Sequence, residues 1–162
     1  MVLFCGQSLD EHLCLTHAAQ GLRVSIVRYF NAYGPRLDAQ GYGSVIGTFV
    51  SQALANESLT VHADGWQTRC FTYVDDRVQG TVLAATRPEA LGQVFNIGGV
   101  AKITVLDLAG LILGLSHSTA GVRLVPYGAA YGAGFEDTPR RVRDVSKAQH
   151  LLGFRALVPL EE

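Results

Sequence analysis

Two periodicities alternate along this chain, and that alternation limits its fold more than anything else in it. Short apolar runs rich in β-branched residues recur between longer stretches with helical spacing, and Gly or turn residues stand at the junctions. Extended runs are expected at 24–30 (VSIVRYF), 59–62, 71–74, 94–97 and 122–125. Helices are expected from 8 to about 17–20, over 45–55, over 75–85, from 104 to about 115, and from 144 to 152. Ser8 with Glu11, and Thr104 with Asp107, have the form of capping boxes, and Asp75 and Asp144 can cap. Strand then helix, repeated, is the signature of an α/β fold with mostly parallel pairing. The run at 24–30 reads as a strand covered on both faces. The stretch 127–138 reads as a Gly-rich loop.

At 162 residues the chain can bury one core, so a single domain over 1–162 is expected. Hydrophobic residues make up 48% and charged residues 17%, which excludes a disordered chain. The 13 Lys and Arg nearly cancel the 14 Asp and Glu, and apart from Arg140, Arg141 and Arg143 the basic residues are scattered. Neither nucleic acid nor a membrane is therefore an expected partner. Cys5, Cys14 and Cys70 are odd in number and irregular in spacing, which is no disulfide framework; a cytoplasmic location is the expectation. No Cys or His spacing suits a metal. The apolar start MVLFC is too short for a signal peptide, and no run reaches membrane-spanning length.

Ligand sites in open α/β sheets lie at the carboxyl ends of strands. The run at 24–30 ends at Asn31, and Tyr33-Gly34-Pro35 forces a turn. Tyr29, Asn31 and Tyr33 thus stand where such a site would be, although Tyr29 and Phe30 read equally well as core aromatics. Thr60 and His62 alternate on a short strand and share one face. Arg69 lies between two extended runs, and an Arg fork suits a diphosphate where Lys does not. The competing reading for Arg69, Arg140 and Arg141 is solvated surface charge. For His62 it is a strand surface residue, and for 128–134 a plain connector. Cys70 has no adjacent base and reads as a buried structural thiol.

Five stretches stand in order: DEHL at 10–13, RYFNAYGPR at 28–36, DGWQTRCFTYVDD at 64–76, VFNIGG at 94–99 and RRVRDVSKAQHLLGF at 140–154. Together they resemble the NAD-dependent epimerase/dehydratase family, extended short-chain dehydrogenases that act on nucleotide-diphosphate sugars. The resemblance covers nearly all of the chain from Asp10 onward. It implies part of a Rossmann-like fold, the C-terminal substrate-binding portion. Residues 1–36 would be a remnant of the cofactor-domain edge, and 37–162 the sugar-nucleotide-binding portion. It also implies roles. The residue matching Tyr29 lies by the nicotinamide, with Tyr33 on the same residual cofactor side. Asn31 matches a residue that hydrogen-bonds the sugar nucleotide. Arg69 matches a diphosphate-binding arginine, and either Arg140 or Arg141 a second. An aromatic at the position of His62 packs on the nucleobase, beside Thr60. The stretch 128–134 resembles a mobile loop that closes over substrate.

The chain departs from that pattern where the chemistry is done. In the family a Tyr-x-x-x-Lys pair takes the sugar hydroxyl proton while NAD takes the hydride. Matching through Asp10 and Glu11 puts Leu3 and Gln7 at those two positions, and neither can act. No Gly-rich dinucleotide turn follows any expected strand. Cys70, Ala63 and Gly47 replace a usual Asp, Gly and Pro. Two readings follow. The first is the nucleotide-sugar-binding half of an epimerase/dehydratase, inactive alone, with no catalytic residue and no cofactor of its own, NAD being implied for the complete family member. It would act as a homo-oligomer or with a separate cofactor-domain chain. The second is a non-catalytic, self-associating module derived from the family. The apolar run at 24–30 favours a homodimer with the first ~35 residues at its interface.

Overall fold

The computed structural model describes residues 2–38, 44–132, 137–138, 142 and 144–162, with residues 2–8 and 131 described through their backbone. Helix α1 (Val2–Ala19) leads into strands β1 (Ile26–Tyr29) and β2 (Asn31–Tyr33). Helix α2 (Val45–Leu54) is followed by β3 (Leu59–His62) and β4 (Thr68–Tyr73), then by α3 (Val74–Thr86) and a 3₁₀ turn at Pro88–Ala90. Strands β5 (Val94–Ile97) and β6 (Lys102–Thr104) precede α4 (Val105–Leu115). Strand β7 (Val122–Val125), a short α5 (Tyr127–Tyr131) and α6 (Ser146–Leu152) complete the order. The described strands form three small sheets: β1 with β5, β2 with β4 and β6, and β3 with β7. Pairing is parallel except between β4 and β6.

Two apolar clusters hold these layers together. In one, Phe49 of α2 and Leu108 of α4 close over Leu59 and Val61 of β3. In the other, α3 and α6 cover β5, with Phe95, Ile97, Leu152 and Phe154 buried. Each such side chain contributes about 1.5–3 kcal/mol on burial. Gly80 lets α3 approach β5, because a Cβ there would fall 2.4 Å from Ile97 Cγ2.

Local signals account for several ends. The Thr104 hydroxyl accepts the Asp107 amide at 3.0 Å, as the capping pattern predicts. Ser44 caps α2 by accepting the Gly47 amide at 3.1 Å, a bond that the family's usual Pro at 47 could not make. Val145 takes the cap position of α6, while the Asp144 side chain accepts the Ser146 amide at 2.8 Å and is held below the usual carboxylate range by Ser146.

Other expectations need correction. Ser8 and Glu11 do not open α1; the helix already runs from Val2, since residues 2–7 contain no Pro to stop it. Tyr73, not Asp75, precedes α3, and Asp75 and Asp76 lie in its first turn. Strand β4 begins at Thr68, earlier than 71, because β6, unforeseen, pairs with its first half. The stretch 127–138 is not all loop, since α5 opens it. The run at 24–30 is not one strand covered on both faces. It breaks at Phe30, with β1 joining β5 and β2 joining β4, and Arg28 and Tyr29 are exposed.

Candidate functional site

The break at Phe30 places the first site residue. Its ring lies against Gly98, where a Cβ would fall 2.1 Å from Phe30 Cδ2, so a larger residue at 98 would push the ring out. The chain then enters β2 with Asn31 opposite Phe71, and Asn31 Nδ2 donates to the Cys70 carbonyl at 3.2 Å. Asn31, Ser44 and Phe71 line a cavity of about 190 Å³. Cys70 is buried, burial pushes its thiol pKa up against the opposing pull of Lys102, and its Sγ points to the Val100 carbonyl at 3.7 Å. That is the environment of an inert thiol.

Arg69, the preceding residue of β4, is 8% exposed and not a solvated surface charge. Its guanidinium pairs with the Asp137 carboxylate and donates to the Thr68 and Thr138 carbonyls at 2.8 and 2.9 Å. A buried guanidinium without an anion would be costly, so this position selects for a negative partner.

Strand β3 alternates: Leu59 and Val61 are buried while Thr60 and His62 share the other face. Gln52 holds Thr60, donating to its hydroxyl at 3.1 Å and accepting its amide at 3.0 Å, and Arg123 donates to the same hydroxyl at 3.3 Å. The His62 imidazole stacks on Tyr127, 6.1 Å between centroids and 16° between planes. Gln67 ties the group together by donating to the His62 carbonyl at 3.1 Å and the Tyr127 hydroxyl at 3.3 Å. The Tyr127 hydroxyl in turn donates to Asp137 at 2.9 Å. His62, Gln67, Tyr127, Asp137 and Arg69 are thus one connected cluster with an aromatic end and a cationic end.

Comparison with known proteins gives the family. The family model described as "NAD dependent epimerase/dehydratase family" matches residues 8–98. The chain belongs to the NAD dependent epimerase/dehydratase family. It is 42% identical over 156 residues to a UDP-N-acetyl-alpha-D-glucosaminuronate decarboxylase of Bacillus cytotoxicus, covering 96% of this chain and 48% of that protein. To UDP-glucuronic acid decarboxylase 1 of Danio rerio it is 35% identical over 158 residues, covering 97% of this chain and 36% of that one. It superposes with a TM-score of 0.80 and 31% identity on UDP-glucuronic acid 4-epimerase from Bacillus cereus, solved with UDP-glucuronic acid and NAD, covering 93% of this chain and 46% of that one. The chain therefore spans about half the length of such relatives, or less, and its α/β fold is the corresponding part of their Rossmann-like fold.

In this family member the other named residues fall elsewhere. Tyr29 donates or accepts a hydrogen bond with Thr81 at 2.7 Å, and the Arg77 guanidinium lies 4.1 Å over its ring. Tyr33 is buried edge-on against Tyr73, its hydroxyl donating to the Pro159 carbonyl at 2.7 Å. Neither joins the Arg69 cluster through these bonds. Arg140 and Arg141 lie outside the described residues. Leu3 and Gln7 fall one turn apart on α1, so the helix that would carry the family's Tyr-x-x-x-Lys runs unbroken through both positions. Sequence reasoning missed Gln67, Tyr127 and Asp137. Gln67, two before Arg69, carried a readable signal; the other two are hidden in a Gly-rich stretch.

The N-terminal ends of α3 and α4, which directly follow β4 and β6, do not fit an NAD pyrophosphate. Asp75 and Asp76 stand in the first turn of α3 and Asp107 in that of α4, where a pyrophosphate needs free amides and no competing carboxylate. Among the described residues no three His, Cys, Asp or Glu side chains are grouped to hold a metal. No described helix is long and apolar enough to cross a membrane.

Proposed function

We propose that this chain is the nucleotide-sugar-binding half of an epimerase/dehydratase-family enzyme, that its ligand is a uridine diphosphate sugar, and that it does not turn over alone. The observation behind this reading is Arg69, a buried guanidinium already matched to an anion and joined through Gln67 and Tyr127 to the His62 ring. In this reading Arg69 takes the diphosphate, with Arg140 or Arg141 as a second donor. His62 takes the base, with Thr60 beside it, and Asn31 takes the sugar. Tyr29 belongs to the nicotinamide side, and Tyr33 contributes through the turn that it anchors. Three relatives whose names carry a UDP sugar, two decarboxylases and a 4-epimerase, support uridine as the base.

The redox step would need an NAD-binding partner chain. Self-association through the first ~35 residues is part of the proposal: Leu9 and Leu13, one turn apart on α1, are 62% and 50% exposed. The test is calorimetric titration with UDP. The Arg69→Ala variant should bind more weakly by roughly 1.5–3 kcal/mol, the worth of a hydrogen bond to a charged group. Binding equal to the parent's would show that Arg69 does not hold the diphosphate.

A further inference from the structure

One segment of the chain presents to the His62–Arg69 cluster the same two chemistries that a nucleotide would. Tyr127, at the start of α5, lays an aromatic ring nearly parallel to the His62 imidazole. Asp137, ten residues on, sets its carboxylate on Arg69. The two are coupled, because the Tyr127 hydroxyl donates to the carboxylate oxygen that Arg69 also holds. Thr138 adds its carbonyl to the second guanidinium nitrogen.

These contacts fill the site. Both terminal nitrogens of Arg69 are engaged, one by Thr68 and Thr138, the other by Asp137. At 6.1 Å between centroids, His62 and Tyr127 leave no room for a third ring between them. A nucleotide can reach both residues only by displacing both partners. The physical need is plain. Arg69 is buried, and a buried charge left without a counter-ion costs several kcal/mol. A chain without bound nucleotide therefore gains by carrying its own anion. A diphosphate, with more charge and a better match to the guanidinium fork, can still win the exchange.

We propose that Tyr127 and Asp137 together form an internal mimic of the nucleotide, aromatic ring on His62 and carboxylate on Arg69, which holds the site until a uridine diphosphate displaces it. The proposal rests on the nucleotide reading of that cluster. It makes binding an exchange, so apparent affinity is reduced by the fraction of molecules that are self-occupied. A mimic in place about nine-tenths of the time raises the apparent dissociation constant about tenfold.

The experiment is calorimetric titration of UDP into the full chain and into Asp137→Asn, Tyr127→Phe, Arg69→Ala and the Asp137→Asn/Arg69→Ala double variant. Asp137→Asn should bind UDP about tenfold more tightly than the parent. Tyr127→Phe keeps the ring and the ion pair but loses the clasp, and should gain about twofold to tenfold, the worth of one hydrogen bond. The gain from Asp137→Asn should vanish in the double variant. If Asp137→Asn does not fold, Tyr127→Phe decides alone. Should Arg69→Ala weaken binding while Asp137→Asn or, in its place, Tyr127→Phe binds no better than the parent, the mimic is refuted and the nucleotide reading stands. Should Arg69→Ala bind as the parent does, or no protein bind UDP, both are refuted.

Discussion

Asp76 holds Leu157: its two carboxylate oxygens both accept the Leu157 amide at 3.1 Å, and one also accepts the Val158 amide at 3.1 Å. Asp76 is 5% exposed and stands in the first turn of α3, where the helix dipole favours a negative charge. One residue beyond Val158, the Pro159 carbonyl receives the Tyr33 hydroxyl. Asp76 and Tyr33 together thus fasten residues 157–159 against the segment that follows Asn31. Asp76→Ala leaves two amides without their acceptor and should destabilise the chain by roughly 2–4 kcal/mol. Urea unfolding measures it; a loss near zero would show that solvent replaces the carboxylate.

Tyr33 makes stability depend on alkaline pH. Burial, with Asp76, Glu161 and Glu162 nearby, pushes its pKa up to about 12. In the unfolded chain it is about 10. The folded value is the higher one, so the contribution is fully present below pH ~10 and is lost as pH rises towards ~12. The loss is on the order of 2–3 kcal/mol. Tyr33→Phe should be less stable than the parent at pH 8, and the gap should narrow between pH 10 and 12. Parallel unfolding curves across that range would contradict the assignment.

Ala63 carries a backbone cost. Its φ is 56°, in the left-handed region, where the family's usual Gly is unstrained. Its amide donates to the Val125 carbonyl at 2.8 Å, which fixes the conformation at the end of β3 next to His62. Ala63→Gly should raise stability by about 0.5–1 kcal/mol, the strain relieved exceeding the added chain entropy. The thermal midpoint is the readout, and a fall in it would show that the strain is absorbed elsewhere.

NAD should bind this chain alone only at about millimolar concentration. The carboxylates that open α3 and α4 oppose a pyrophosphate, and the family resemblance puts Gln7 where a Lys would hold the ribose. Calorimetric titration decides it, with a micromolar dissociation constant as the refuting outcome.

Light scattering at micromolar concentration should show a dimer or small oligomer. Leu13→Glu, which puts a charge on the exposed side of α1, should convert it to monomer. A parent that is already monomeric would end that part of the proposal.

What could be read from the chain alone lies close together in sequence. The cap at Thr104, the alternation of Thr60 and His62, and the strands at 59–62, 94–97 and 122–125 depend on neighbours a few residues away, and periodicity records those. The type of Arg69 and its place in a motif offered two readings, a diphosphate holder or a solvated surface charge, and its burial excludes the second. What it holds was not, because Asp137 lies 68 residues further on. The break at Phe30 was equally hidden, since its ring packs where Gly98, just beyond β5, has no side chain. Tyr127 and Asp137 acquire their roles only when β3 and β4 bring His62 and Arg69 to them. Local patterning sets which segments are strands and helices; which distant charge meets a buried guanidinium is settled by packing, because only folding removes the water that would otherwise solvate it.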